Sequence, residues 1–370
     1  MSATSISNRV LVLGKGASGQ AAAKLLEQSG YTVDFADGYD FVVTSPGIQV
    51  KSELQLGCEA LKAAGVKLLA VTGSKGKSSV VKLVTDALNA NGQRAVACGN
   101  YGTPVAAVAD RSVRSPDWAV VEVSSFQLET TYLPPDMFEA AVILNLQEDH
   151  LTRHGCVEVY HNLKKKLLTF AKSGVVDEPC RGGEVESLVS GYFDNEILRP
   201  NAEKAIFLMR VAGLSDEAIA KAFRDFEPLP HRMNLVGEFG GVKCVDDSKA
   251  TSIAALIAGI AMVGGPVRLI AGGLDKGDDA KNALPILTKW VKKVYIIGKC
   301  AEKFRDAWNG AVECELCGTM DVAVRNSMRD AVKGETILLS PGTASFDQFN
   351  SFGERGEVFA RLVQQEGQKK

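Results

Sequence analysis

Short apolar, β-branched runs recur along the chain, each followed by a turn and then by a stretch whose apolar positions have helical spacing. Val10–Leu13 reads as a strand, followed by Gly14-Lys-Gly-Ala-Ser-Gly19 and a helix near Gln20–Ser29. Asp40–Ser45 reads as another strand, and Lys67–Val71 leads through a glycine turn into a helix from about Lys77 to Ala90. Ala119–Val123 and Ala140–Asn145 continue the pattern. After Pro228 it restarts, with strands near Lys243–Val245, Val267–Ala271, Val294–Ile297 and Thr336–Leu339. Strand, turn and helix in this order predict an α/β protein of mostly parallel sheets joined by right-handed crossovers. Three modules are expected, at residues 1–65, 66–228 and 229–370. A turn-rich stretch, Gly174 to Gly191, falls inside the second, and Glu227-Pro-Leu-Pro230 has the composition of a hinge.

Composition narrows the class. The chain has 370 residues, 46% of them hydrophobic and 23% charged, the balance of a globular protein. A net charge of −2 gives no basic field for nucleic acid or an anionic membrane surface. Met1 to Arg9 is polar, so no export signal is expected there. The longest apolar runs, such as Leu68–Val71 and Ala140–Leu144, are strand-sized, so no membrane insertion is expected. Eight cysteines scattered over a long chain fit free thiols in a reducing compartment, and cytoplasm is the expected location. Cys314 and Cys317 form a lone C-x-x-C without a second pair or a nearby histidine, a weak signal for metal or redox chemistry.

The strongest chemical signal is Val71-Thr-Gly73-Ser-Lys-Gly76-Lys77-Ser78-Ser79, which follows a strand and opens a helix. Glycines at both ends let backbone amides converge on phosphate oxygens, and the helix N-terminus adds a favourable dipole. Lys77 can reach the β and γ oxygens, and Ser78 or Ser79 can ligate Mg²⁺. Gly73, Ser74, Lys75, Gly76, Lys77, Ser78 and Ser79 are therefore the expected ATP-binding loop, and the middle module should be P-loop ATPase-like. The outer modules should be Rossmann-like. Gly14-x-Gly16-x-x-Gly19, with Asp37 further on, fits the diphosphate of a UDP-sugar as well as it fits NAD, and the second phosphate loop favours UDP.

Glu122 ends the apolar strand before Ser124-Ser-Phe-Gln-Leu, a place from which an acid can hold Mg²⁺. Asn145-Leu-Gln-Glu-Asp149-His150 ends the next strand in the same way and presents His150. Each alone could be a polar strand end meeting solvent. Tyr160-His-Asn-Leu-Lys164-Lys165-Lys166 is a basic helix, in which a lysine beside a Mg²⁺ site could be carbamylated.

Taken in order, several segments carry a resemblance. They are Gly73–Ser79, Glu122–Gln127, Asn145–His150, Leu229-Pro-His-Arg232, Asp246-Asp-Ser-Lys-Ala-Thr251, Gly272-Gly-x-Asp-Lys276 and Ser340-Pro-Gly-Thr-Ala-Ser-Phe-Asp-Gln-Phe349. The chain resembles the Mur ligases over nearly its whole length, and its last motifs look most like those of the branch that adds D-glutamate.

That resemblance implies an ATP-dependent ligase joining D-glutamate to UDP-N-acetylmuramoyl-L-alanine through an acyl phosphate, with ATP as co-substrate and two Mg²⁺ ions. It implies catalytic roles for Lys77, Glu122, His150 and Lys164, with Ser78, Ser79, Glu122, His150 and a carbamylated Lys164 as metal ligands. Asn201, Arg232 and Asp247 match residues that contact ATP. Lys249, Thr251, Lys276, Ser345, Phe346 and Phe352 match the D-glutamate pocket. Ala17, Ser18, Asp37 and Ser45 match the uridine-diphosphate cradle, and Asn100 and Ser124 match contacts to the muramoyl substrate.

The chain departs from the family pattern in a short first module, trimmed between Asp37 and Val42 and before Lys67, and in a trimmed stretch between Gly174 and Asn201. Lys75 also stands where this branch often has asparagine. A trimmed ligase and a relative with an altered substrate both fit. So do a polyglutamate-type ligase of the same superfamily and a non-catalytic nucleotide-binding relative.

Overall fold

The computed structural model describes residues 9–38, 50–110, 112, 114–148, 150–175 and 187–369. The chain divides into two compact units, Met1–Phe226 and Glu227–Lys370.

Among the described residues, the first unit holds two sheets. β1 (Arg9–Leu13) and β2 (Thr32–Ala36) pair in parallel around the helix Ala17–Gln28, over a small core that includes Val12, Ala23 and Leu26. The strand expected at Asp40–Ser45 lies outside the described residues. The second sheet comprises β3 (Lys67–Thr72), β4 (Ala95–Gly99), β5 (Trp118–Glu122), β6 (Phe138–Ile143) and β7 (Ala171–Val175). Its order is β4-β5-β3-β6-β7, with every pairing parallel. Leu68, Leu69, Ala70 and Val71 are all buried, as a strand covered on both faces requires. The helix Glu53–Ala63, capped by Ser52, packs Leu54, Cys58 and Leu61 into this sheet's core, although it precedes residue 65.

From β3 the chain crosses to one side of the sheet and from β6 to the other, so the loops after these neighbouring strands flank the point where connections diverge. Parallel α/β sheets place their ligand crevice at such a point.

The second unit is a six-stranded sheet of order β12-β11-β10-β13-β9-β8. β8 (Asn234–Phe239) and β9 (Val242–Asp246) form an antiparallel hairpin through Gly240 and Gly241. β10 (Val267–Gly272), β11 (Val291–Ile297), β12 (Glu313–Gly318) and β13 (Thr336–Leu339) join it in parallel. Leu256, Leu269 and Trp308 fill the core on one face, and Tyr295, Met328 and Phe359 fill the core on the other.

The C-x-x-C lies within β12. Residues three apart on a strand face opposite ways, so Cys314 packs with the first core and Cys317 with the second, and both are free thiols. That geometry removes a shared metal or redox role. No helix among the described residues is long and apolar enough to cross a membrane.

Candidate active site

The phosphate loop runs from the end of β3 into the helix Lys77–Ala90. Gly76 caps this helix in the left-handed region, at φ 83°, and a Cβ there would fall 2.3 Å from Asn201 Nδ2. Glycine is thus required both for the turn and for the neighbour. Asn145 clamps the loop from the end of β6. Its Oδ1 accepts from the Lys75 amide at 2.8 Å, and its Nδ2 donates to the Lys75 carbonyl at 2.9 Å. Ser74 Oγ accepts from the Gln147 amide at 3.0 Å and from Tyr160 OH at 3.1 Å. Four backbone and side-chain anchors therefore fix the loop before any nucleotide arrives.

Lys77 Nζ donates to the Gly73 carbonyl at 2.8 Å, and Lys164 Nζ donates to the same oxygen at 3.0 Å. Lys164 is 1% exposed and lies 4.6 Å over the Tyr160 ring. Lys164 reaches back 91 residues to Gly73, so two lysines far apart in sequence bring their ammonium groups to one atom. Ser78 opens the same helix beside the buried Ser79.

Glu122 ends β5, in register with Val71 of β3. It is 2% exposed. One carboxylate oxygen accepts from Asn100 Nδ2 at 2.7 Å, while Oε2 is buried without a hydrogen-bond partner. Buried polar atoms are nearly always satisfied, so an orphaned carboxylate oxygen marks a place for a donor or a cation. Carboxylate and hydroxyl oxygens suit Mg²⁺, which commonly takes one or two protein carboxylates and completes its shell with phosphate oxygens and water.

His150 sits at the start of the helix Leu151–His154 with φ 55°. Its exposed ring makes edge contacts with Phe126 at 5.1 Å and with Tyr160 at 6.1 Å. Lys77, Lys164 and Tyr160 gather on the Gly73–Ser74 segment, His150 joins them through the Tyr160 ring, and Glu122 lies at the end of the adjoining strand.

Asn201 belongs to this group as well. It is buried against Gly76 and accepts from Asn145 Nδ2 at 3.3 Å, so it supports the phosphate loop itself. Ser124 caps the helix Ser125–Thr130 in a reciprocal box with Gln127. At the first sheet, Ala17 and Ser18 open the helix Ala17–Gln28 and are exposed. A Cβ on Gly19 would fall 2.0 Å from the Gly14 carbonyl, which explains the third glycine of that motif. Asp37 is exposed and accepts from the Gly38 amide, and Ser45 lies outside the described residues.

In the second unit, the loops after the adjacent strands β9, β13 and β10 are stitched together. The Asp247 amide donates to the Leu339 carbonyl at 2.8 Å, and the Gly342 amide to Ala250 at 2.8 Å. Leu274 and Ala344 exchange backbone bonds at 2.9 and 3.2 Å. These stitches gather Lys249, Thr251, Lys276, Ser345 and Phe346 at one end of the sheet. Ser345 is buried, Lys276 is exposed, and Phe346 is 70% exposed. Lys249 Nζ lies 3.8 Å over the ring of Phe352, the first residue of the C-terminal helix Phe352–Gly367.

Asp247 accepts from Ser340 Oγ at 3.0 Å. Burial raises its carboxyl to about 7, while the Ser340 hydrogen bond and the Arg232 charge pull it back. Arg232 itself donates its amide to Asn234 Oδ1 at 2.9 Å.

Several residues of the site were not singled out from sequence. Asn145 is one. Another is His154, buried between Ser125 Oγ, 3.0 Å from its Nε2, and Glu129, 3.1 Å from its Nδ1. The His154 amide bonds the His150 carbonyl at 3.0 Å, so this anchor also holds His150. Ser125 and Glu129, four apart on one helix, were the available signal. A third is Arg355, whose buried guanidinium binds the loops after β9 and β13.

Comparison with known proteins agrees with this arrangement. Residues 71–177 match the Mur ligase middle domain, and residues 231–343 match the Mur ligase glutamate ligase domain. The UDP-N-acetylmuramoylalanine–D-glutamate ligase of Acidobacterium capsulatum is 33% identical over 449 aligned positions, covering 96% of each chain. The enzyme of the same name from Rubrobacter xylanophilus is 36% identical, over 94% of this chain and 91% of its own. An alignment of 449 positions against 370 residues fits the trimming expected from the sequence. Among solved structures, the MurF ligase of Thermotoga maritima in complex with ADP superimposes with a TM-score of 0.66, covering 98% of this chain and 95% of its own at 16% identity. FolC of E. coli, in complex with DHPP and ADP, gives 0.57 over 87% of this chain and 95% of its own, also at 16% identity. These two likenesses concern the fold alone. By its two matched domains and its near full-length relatives, the chain belongs to the Mur ligase family, in the branch of the UDP-N-acetylmuramoylalanine–D-glutamate ligases.

Proposed function

We propose that the chain joins D-glutamate to UDP-N-acetylmuramoyl-L-alanine at the expense of ATP, in the synthesis of peptidoglycan precursors, and that it works in the cytoplasm. The observation that carries this reading is the meeting of Lys77 and Lys164 on the Gly73 carbonyl, with the unpartnered Glu122 oxygen at the end of the next strand.

A carboxylate is a poor electrophile and resists attack by an amine. Phosphoryl transfer from ATP to the L-alanine carboxylate gives an acyl phosphate and ADP. Attack by the D-glutamate amine then forms the amide and releases phosphate. The amides of Gly73 to Gly76 and the Lys77 ammonium receive the phosphates, and Asn145 and Asn201 keep that loop in shape. Ser78, Ser79 and Glu122 would hold one Mg²⁺, and His150 with a carbamylated Lys164 a second. Bound there, the ions would offset the charge that grows on the transferred phosphoryl group.

Arg232 and Asp247 are the further residues that would contact ATP. Lys249, Thr251, Lys276, Ser345, Phe346 and Phe352 receive D-glutamate, with Lys276 as partner for a carboxylate. Ala17, Ser18, Asp37 and Ser45 cradle the uridine diphosphate, and Asn100 and Ser124 the muramoyl group.

The test is phosphate release from ATP with UDP-N-acetylmuramoyl-L-alanine and each amino acid in turn. D-glutamate should stimulate release, whereas L-glutamate, diaminopimelate, L-lysine and D-alanyl-D-alanine should not. Stimulation by one of the others assigns a sibling activity. ATP binding with no stimulation by any of them rejects a ligase.

A further inference from the structure

Arg355, on the C-terminal helix, is 0% exposed and makes four hydrogen bonds. Nε donates to Ser248 Oγ at 3.0 Å, and Nη2 donates to the Ser248 carbonyl at 2.9 Å and the Thr343 carbonyl at 3.2 Å. Nη1 donates to the Ala344 carbonyl at 3.3 Å. Ser248 Oγ in turn donates to the Phe352 carbonyl at 2.8 Å. Every acceptor is neutral. The carboxylates that act on the guanidinium, Asp347 and Asp246, do so through space and without a hydrogen bond to it. Asp246 is taken up by His231 Nδ1 at 2.7 Å and by the Ser248 amide at 2.8 Å. Asp347 Oδ2 accepts from the Lys299 amide at 2.9 Å.

A buried arginine bound only to neutral oxygens is costly to maintain, and burial lowers its basicity, to a pKa of about 10. Lysine or a neutral donor could not tie the same loops, because only the planar guanidinium offers five donors in a fixed fork. The two loops it ties carry Lys249 and Thr251 on one side and Ser345 and Phe346 on the other. Its positive charge is bonded directly to both of them.

We propose that Arg355 is a positioning residue that also sets specificity for an acidic amino acid. It holds the Ser248–Thr251 and Thr343–Phe346 loops at one spacing and lends the floor of that pocket a buried positive charge. Arg355 touches no substrate and acts through the loops above it. This inference rests on the reading of these loops as the D-glutamate pocket.

The experiment compares wild type, Arg355→Met and Arg355→Lys in amino-acid-dependent phosphate release, with D-glutamate and its uncharged analogue D-glutamine. A wild type that responds to some other amino acid, or to none, defeats the underlying reading before any variant is made. Given a wild-type response to D-glutamate, Arg355→Met should raise KM for D-glutamate about tenfold or more, the scale of one lost charge-assisted interaction. KM for UDP-N-acetylmuramoyl-L-alanine should stay within about twofold, because Arg355 shares no bonding partner with the residues assigned to that substrate. The preference for D-glutamate over D-glutamine should shrink in Arg355→Met and persist in Arg355→Lys. Equal losses in every parameter, an unchanged KM for D-glutamate, or a Lys variant as indifferent to the side-chain charge as Met would overturn the proposal. Should the Met variant fail to fold, the D-glutamate to D-glutamine ratio of the Lys variant decides alone: kept, it supports the role, and lost, it refutes it.

Discussion

Glu122 in the first unit and Arg355 in the second are both buried charges near the carboxyl ends of a parallel sheet, yet their surroundings differ in kind. Glu122 has one oxygen bound by Asn100 and one without a partner. Arg355 has each terminal nitrogen and Nε engaged by loop oxygens. A buried group left unmet costs stability and is retained where something must bind. A buried group fully met stores geometry, because removing it strands several acceptors at once. The first unit thus keeps a binding position open, and the second holds a binding surface in shape. Stability and activity should therefore respond in opposite proportions at the two residues.

The largest effect is expected at Lys164, the buried lysine that shares Gly73 with Lys77. Lys164→Ala should abolish ligation. Added bicarbonate should not restore it, whereas a short carboxylic acid should restore part of it by taking the place of a carbamate. Full activity in this variant would remove the carbamate role and leave Lys164 as a packing residue.

Next comes Glu122→Gln, which should lower kcat by on the order of 10²- to 10³-fold, in the range seen when an electrostatic stabiliser is lost. It should leave the unfolding temperature unchanged or raise it, since a buried, half-satisfied carboxylate is relieved. Arg355→Met should instead lose about 3 kcal/mol of stability, measured by denaturant unfolding, because four acceptors lose their donor. If Glu122→Gln were as destabilised as Arg355→Met, the contrast between an open position and a stored geometry would fail.

A smaller loss is expected from Asn145→Ala. The clamp on Lys75 disappears while the loop keeps its bonds through Ser74, so kcat should fall roughly 10- to 100-fold with little change in melting temperature. An unchanged kcat would mean that nucleotide binding alone organises the loop.

What could be read from sequence divides along the same line. The strands β3, β5, β6, β10, β11 and β13 announce themselves as short apolar runs, and the phosphate loop follows its strand directly, so spacing alone finds it. Lys77 and Glu122 are legible because each terminates or follows such a run. The parts that escaped are those set by tertiary contact. Nothing local shows that Asn145 reaches Lys75, 70 residues earlier, or that Arg355 reaches Ser248, 107 residues earlier. Asn201 was assigned to the nucleotide from resemblance, whereas its packing on Gly76 needed the fold. The lone C-x-x-C failed for the opposite reason. Its spacing suggests a pair only if both thiols share a side, and β12 sends them to opposite cores.

Asp247 offers the smallest and most specific test, because it combines both kinds of burial. Its carboxyl is fully enclosed, held by Ser340 Oγ, and raised from 3.8 to about 7 by loss of solvent. A carboxyl whose folded value exceeds its unfolded value binds its proton more tightly in the native state. Its contribution to stability is therefore greatest below about pH 4 and is lost as pH rises through about 7. Asp247→Asn removes that dependence while keeping a neutral group of the same shape. The variant should thus melt at nearly the wild-type temperature at about pH 4 and above it at about pH 8, by a few degrees, with the gap opening as pH rises from about 4 to about 7. A constant gap between the two melting curves would show that Asp247 is ionised throughout, and its burial would then have to be offset by Arg232 rather than by a proton.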